Sequence, residues 1–152
     1  MKRQMFKFFA MIILVLMVAF VSALASASAQ TPGHTLTVKV PFEFSVGSRT
    51  LPAGDYQVSR LNSDGSTLRI TNQESDQNVA RQARNIQASQ AKEQSVLVFR
   101  RYGNQYFLAQ VWLVGETTGR ELAPSSKEKA LENELAKNNE QVETVTVIAA
   151  LH

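Results

Sequence analysis

The chain has 152 residues, with 16 lysines and arginines against 13 acidic residues and no cysteine. The lack of cysteine excludes disulfide bridges, thiolate catalysis and lipid attachment through a cysteine. Because the only histidines are His34 and His152, a histidine-based triad or a multi-histidine metal site is not expected, and we predict that both are ordinary exposed residues.

The first 29 residues have the layout of a secretory signal peptide. Three basic residues within the first seven precede an apolar run over residues 8–21, and Ala-x-Ala sites follow, the last of them ending at Ala29. We therefore predict a bacterial protein that is exported to the periplasm or secreted from the cell, with cleavage near Ala29. The alternative is a leader that is kept as a membrane anchor, since with residues 22–25 the run approaches the roughly 20 residues that span a bilayer.

Removal of this leader changes the electrostatic interpretation of the chain. Three of the 16 basic residues lie in the leader, so 13 basic residues remain against 13 acidic ones, and residues 30–152 are formally neutral. A neutral chain has no net attraction to nucleic acid or to anionic membranes, so neither is predicted as a partner. The remaining length suits a single β-rich domain over residues 30–152.

Alternation of apolar and polar residues predicts strands at the start of this domain. Residues 34–40 form a half-buried strand, Pro41 interrupts it because proline has no N–H to donate, and residues 42–46 resume the alternation. Turns are predicted at residues 47–48 and 51–54.

Two further predicted strands follow. Residues 56–61 and 66–71 are expected to form a hairpin, because the Asp64-Gly65 pair between them favours a tight turn. Residues 79–87 fit either a helix or a strand. We predict a strand, since so short a helix would have few apolar groups with which to dock.

Residues 96–114 are predicted to form the central antiparallel hairpin. Gly103-Asn104 suits a two-residue II′ turn, which places Tyr102 opposite Gln105 and, counting back, Val96 opposite Val111. Both faces of the hairpin are apolar away from the turn, so we expect it to be covered on both sides. The predicted deep core residues are Leu97, Phe99, Phe107 and Trp112.

The C-terminal part is predicted to contain a loop, one helix and a last strand. Residues 115–124 form the loop. Ser125 and Glu128 then form a capping box that starts a helix, which should run to about Lys137 and dock through two leucines, Leu131 and Leu135. Residues Gln141 to Leu151 are rich in β-branched residues and form the last strand, which could pair with another chain if it lies at an edge.

One group of polar and aromatic residues is a candidate binding surface. Arginine guanidinium groups stack on aromatic rings and grip carboxylates or phosphates at two points. The residues are Arg100, Arg101, Tyr102, Tyr106, Glu116 and Arg120. The simpler alternative is structural, with Arg101 stacked on Tyr106 and Arg100 paired with an acid.

No constellation of residues predicts an enzyme or a cofactor site. Most acids, Glu128 among them, are expected to be solvated surface charges. A hydrolase that uses Glu43 with Glu116 or Glu121 would need two of these carboxyls to face each other across a cleft with raised pKa values.

Four segments resemble a family of small exported bacterial proteins of unknown function. They are residues 40–44 (VPFEF), 51–56 (LPAGDY), 97–112 (with RRYGNQYFL) and 119–122 (GREL). The resemblance implies an export product of the same shape, and it carries no activity or site residue to this chain.

Together these observations predict a mainly β fold, an antiparallel sandwich or short barrel of seven or eight strands, with one C-terminal helix followed by a final strand. The predicted function is a non-enzymatic binding or structural role at the cell envelope, with an unknown envelope or extracellular partner. The alternative is a lipocalin-like carrier of a small lipophilic ligand, which requires a closed barrel with an apolar cavity on the order of several hundred Å³.

Overall fold

The computed structural model describes residues 35–149, which contain ten strands and one helix. The predictions for the leader, for both histidines and for the last residues of the final strand lie outside this range. The strands are β1 (Leu36–Val40), β2 (Phe44–Val46), β3 (Arg49–Leu51), β4 (Gly54–Arg60), β5 (Thr67–Asn72), β6 (Asn78–Gln87), β7 (Val96–Tyr102), β8 (Gln105–Trp112), β9 (Thr118–Leu122) and β10 (Glu143–Ile148). Helix α1 (Ser126–Lys137) lies between β9 and β10 in the chain.

The strands form one folded sheet that is not closed into a barrel. Its first half has the order β1-β4-β5-β6, and its second half has β6-β9-β8-β7-β10, with β2 and β3 beside β8. Strand β6 belongs to both halves, because residues 78–82 pair with β5 and residues 83–87 pair with β9. The mainly β fold with one helix and a final strand is confirmed, and of the two predicted architectures the closed barrel is not formed.

Aromatic rings connect the two halves across the core. Phe44 contacts Tyr56 of the first half with ring centroids 4.9 Å apart, and it contacts Phe99 of the second half at 5.3 Å. All three side chains are buried. The predicted core residues Leu97, Phe99, Phe107 and Trp112 are buried as well, which confirms that both faces of the central hairpin are covered.

The central hairpin forms as predicted near its turn and departs from the prediction farther away. Gly103 has φ 59°, and the predicted pairs from Tyr102 and Gln105 to Phe99 and Leu108 are present. A β-bulge then leaves Ala109 as the extra residue, so that Leu97 lies opposite Val111 instead of the predicted Gln110. The bulge is favourable because it places two apolar residues together on the core face.

Two short strands lie where no strand was predicted, β3 between two predicted turns and β9 in a predicted loop, which raises the number of strands from seven or eight to ten. Strand β3 pairs with β2, and β9 lies within the predicted loop 115–124. The β9 sequence, TGREL, has weak strand propensity by itself. It packs because a Cβ at Gly119 would lie only 2.6 Å from the Trp112 ring, so glycine allows the two strands to approach closely.

Helix α1 begins and ends where the sequence predicts. Ser125 is the N-cap, the capping box with Glu128 is complete, and Asn139 just beyond the helix has φ 57°. The predicted docking residues Leu131 and Leu135 are only half-buried. The prediction that Glu128 is a solvated surface acid is wrong: it is 2% exposed and accepts a hydrogen bond from Arg100 of β7.

Candidate functional site

The candidate residues at the turn end of the central hairpin are held by structural contacts. Arg100 donates from Nε to Glu128 Oε1 at 3.1 Å and from Nη2 to the Leu122 carbonyl at 3.1 Å. The guanidinium of Arg101 lies 5.6 Å from the Tyr106 ring centroid and pairs with Glu143 at 3.0 Å. The structural alternative, Arg101 stacked on Tyr106 and Arg100 paired with an acid, is therefore confirmed.

Tyr102 is not available on the surface. Its side chain is buried against Phe107, with ring centroids 5.6 Å apart. Burial, together with the nearby Glu128 carboxylate, raises the pKa of the Tyr102 hydroxyl above its usual value. Tyr102 therefore contributes to the packing of the hairpin.

Glu116 and Arg120 belong to a second group at the other end of the hairpin. Glu116 pairs with Arg60, whose Nη2 lies 2.6 Å from Glu116 Oε2. Arg120 is buried and donates to the carbonyls of Gly65 at 3.0 Å and Asp64 at 3.3 Å. Burial first, and then the neighbouring Arg60 charge, lower the pKa of Arg120. These two hydrogen bonds connect the β4–β5 turn to β9.

The six candidate residues therefore lie in two separate groups. The two groups are at opposite ends of β8. At roughly 3.3 Å per residue, the distance along this strand from Tyr106 in the first group to Trp112, close to the second group, is about 20 Å. The partners that hold these groups could not be predicted from local sequence, because Arg60 and Glu116 are 56 residues apart and Arg100 and Glu128 are 28 apart.

A shallow groove of about 190 Å³ lies beside the hairpin turn. One wall is the stacked pair Phe42 and Tyr106, whose ring centroids are 4.0 Å apart. Four exposed polar side chains that line it come from three separate segments of the chain: Glu43, Asn104, Gln105 and Lys127. Glu43 belongs to the hydrolase alternative, and the other three were not predicted as site residues. The donors and acceptors of these four side chains could hydrogen-bond a small polar molecule.

The cavity that Arg60 and Arg120 line offers little room for a lipophilic ligand. The cavity beneath Arg60 and Arg120 has a volume of about 10 Å³, which is at the lower limit for a single water molecule, roughly 10–15 Å³. A carrier would need a cavity on the order of several hundred Å³.

The arrangement of acids does not resemble a hydrolase site. Glu43 lies in the groove by the hairpin turn, whereas Glu116 is paired with Arg60 at the other end. Burial alone would raise the pKa of Glu121, but hydrogen bonds from Arg84 and Gln110 outweigh it and lower that pKa. Within residues 35–149, no group of three or more acids or histidines could hold a metal ion. In the same range, no helix is long and apolar enough to cross a bilayer.

Three of the ten described strands, β1, β3 and β10, pair with a neighbour on one side only. Strand β1 has the exposed Lys39 and is followed by Pro41, and β3 has three residues, the exposed Arg49 among them, and is followed by Pro52. Short length, basic side chains and proline are the features by which proteins protect sheet edges. Two of the three edges are protected in this way.

The third edge, β10, has none of these features. It has six residues, ETVTVI, without lysine, arginine or proline. Its single charge, on Glu143, is paired with Arg101. Ile148 is 59% exposed, the highest value among the large apolar residues of the described chain. The predicted last strand is therefore present, and its outer edge, which we call the open edge, has no partner among the described strands.

The comparisons with known proteins give no family. No family model matches the chain, and searches of curated proteins and of solved structures return no match. The resemblance of residues 40–44, 51–56, 97–112 and 119–122 to small exported bacterial proteins stays a prediction.

Proposed function

We propose that the chain is an exported, non-enzymatic β domain that binds a protein partner at the cell envelope by adding a strand to the open edge of β10. The observation that carries this proposal is the unprotected edge. An exposed edge of this length without basic residues or proline is a template for pairing with another chain.

The backbone of β10 supports the proposal. Beyond the end of the strand, the N–H of Ala149 donates to the Ser95 carbonyl, opposite it on the β7 side, at 2.9 Å. Because hydrogen-bonded and non-hydrogen-bonded pairs alternate along an antiparallel ladder, Val147, Val145 and Glu143 also bond to β7. The N–H and C=O groups of Thr144, Thr146 and Ile148 then point to the open edge, where a partner strand can bond to them.

The geometry gives less support to a lipocalin-like carrier. A carrier encloses its ligand within a closed barrel, whereas this sheet is open and the cavity beneath Arg60 and Arg120 holds about 10 Å³. The open edge requires no interior space. Strand addition is therefore the function that we propose.

The test uses the full chain as bait to capture envelope proteins. The chain itself should be recovered from the exported fraction of its cell. Thr146→Pro removes an N–H that points away from β7, so the fold should tolerate it while pairing at the edge is lost. We expect it to reduce partner capture at least tenfold, whereas Thr146→Val should capture as the unaltered chain does. Equal capture by all three chains, or recovery of the chain from the cytoplasm alone, would contradict the proposal.

A further inference from the structure

We propose that the strand added at β10 is β10 of a second copy of the chain, antiparallel to the first, with a two-fold axis at Thr146. This inference rests on the proposed function, because it names the partner of the same edge. A two-fold arrangement is the commonest one for soluble homo-oligomers, and it needs a surface that is complementary to itself.

The hydrogen-bonding pattern selects the register. Thr144, Thr146 and Ile148 direct their backbone groups to the open edge, as the Ala149 to Ser95 bond implies. With the axis at Thr146, this residue pairs with itself, and Thr144 pairs with Ile148 of the other copy. Every outward-facing N–H and C=O of β10 then has a partner. Moving the axis to Val145 or Val147 would bring residues beyond the ends of β10 into the pairing.

The side chains agree with the same register. On the core face, Val145 lies beside Val147 of the second copy, so the apolar row that continues to Phe99 and Leu97 of β7 is extended without a polar break. On the outer face, Thr146 lies beside its own copy, a favourable cross-strand pair. Ile148 lies beside Thr144 and loses part of its exposure to solvent.

The charges agree as well. Glu143 is the only charged residue of β10, and it pairs with Arg101 of its own chain. With the axis at Thr146 it lies opposite Ala149 of the second copy, so no like charges meet. A different protein could pair here only through a strand that places no acidic residue opposite Glu143. The β10 strand of a second copy meets this requirement.

One competing occupant is β1 of the same chain. Strand β1 comes near β10 but does not pair with it. Pairing between them would close the sheet and leave the chain monomeric, so it makes the opposite prediction for the oligomeric state.

Sedimentation velocity over a range of concentrations tests the inference. A six-residue strand pair is a small interface, so we expect a dimer that dissociates on dilution. The full chain and Thr146→Val should reach twice the monomer mass, whereas Thr146→Pro should stay monomeric with an unchanged circular dichroism spectrum.

A cross-linking experiment locates the interface. Because the chain has no cysteine, Thr146→Cys introduces a single thiol, which should join two copies through a short bismaleimide. Gln57→Cys is the matched control, since Gln57 is exposed on β4, which has a partner on both sides. We expect at least a tenfold higher yield of dimer from Thr146→Cys than from Gln57→Cys.

The outcomes separate this inference from the proposed function. A full chain that stays monomeric at its highest soluble concentration overturns the dimer. Partner capture that still depends on Thr146 would then leave strand addition standing. A Thr146→Pro chain that dimerises as the unaltered chain does overturns the interface at β10, and unchanged partner capture by that variant would overturn the proposed function as well.

Discussion

Glu121 of β9 is a residue whose electrostatic environment predicts a measurable pH dependence. Burial by itself would raise its pKa, but hydrogen bonds from Arg84 and Gln110 together outweigh burial and lower the pKa below the ordinary value of 4.5. A carboxyl whose pKa is lowered by folding adds stability above the unfolded-state pKa and loses it as the pH falls through the folded-state pKa. We expect the free energy of unfolding from urea titrations to fall as the pH is lowered below about 4.5.

Variants at this pair provide the control. Glu121→Gln removes the titrating group and Arg84→Gln removes its principal donor, so each should make the decline at acid pH shallower. If both variants lost stability with pH as steeply as the unaltered chain, the Arg84 to Glu121 contact would not be the cause.

Residues of the candidate site could be predicted only where their partners are close in sequence or chemically obvious. Stacking of Arg101 on Tyr106 follows from their positions on either side of a tight turn. The acid that pairs with Arg100 is 28 residues away, and the carbonyls that hold Arg120 are 55 and 56 residues away. Such partners depend on strand pairing, which a single sequence does not specify.

Among the elements, helix α1 contains a capping residue, Glu128, that is buried although capping residues are usually at the surface. Glu128 accepts from the Ser125 N–H at 2.8 Å and from Arg100 Nε at 3.1 Å, so one carboxylate both caps α1 and fixes it to β7. Removing one partner of a buried pair typically costs about 3–5 kcal/mol. Because the Arg100 side chain is 21% exposed, we expect a smaller loss for Glu128→Ala, about 2–3 kcal/mol in the free energy of unfolding from urea titrations.

Glu132→Ala, one turn farther along the same helix and exposed, is the matched control and should change stability by less than about 0.5 kcal/mol. Equal losses for Glu128→Ala and Glu132→Ala would mean that α1 does not depend on the buried contact to Arg100.

Elements whose limits are determined by nearby residues in the sequence were predicted correctly. Elements that depend on packing against distant parts of the chain were not. The limits of α1 follow from a capping box and two asparagines, all within the segment itself. Strand β9 depends on how Gly119 fits against Trp112, and the bulge at Ala109 depends on which residues face the core. Strands are predicted from the local pattern of apolar and polar residues, and neither the Gly119 packing nor the bulge at Ala109 is visible in that pattern.

For the whole molecule, the ring contacts that cross the core predict a single cooperative unit. Phe99 is fully buried and contacts the rings of Phe42 and Phe44, and Phe44 in turn contacts Tyr56 of the other half of the sheet. Truncation of such a phenylalanine costs about 3–5 kcal/mol. We expect Phe99→Ala to lower the free energy of unfolding by that amount.

The loss should be the same in both halves, because strand β6 and the aromatic core join them. Trp112 fluorescence reports on the second half, and hydrogen exchange of the β4 and β5 amides reports on the first. Leu61→Ala, at a residue that is 43% exposed, should shift neither measurement by more than about 0.5 kcal/mol. If Phe99→Ala weakened the second half while the β4 and β5 amides kept their protection, the halves would unfold separately, and the open edge of β10 would belong to a less stable part of the molecule.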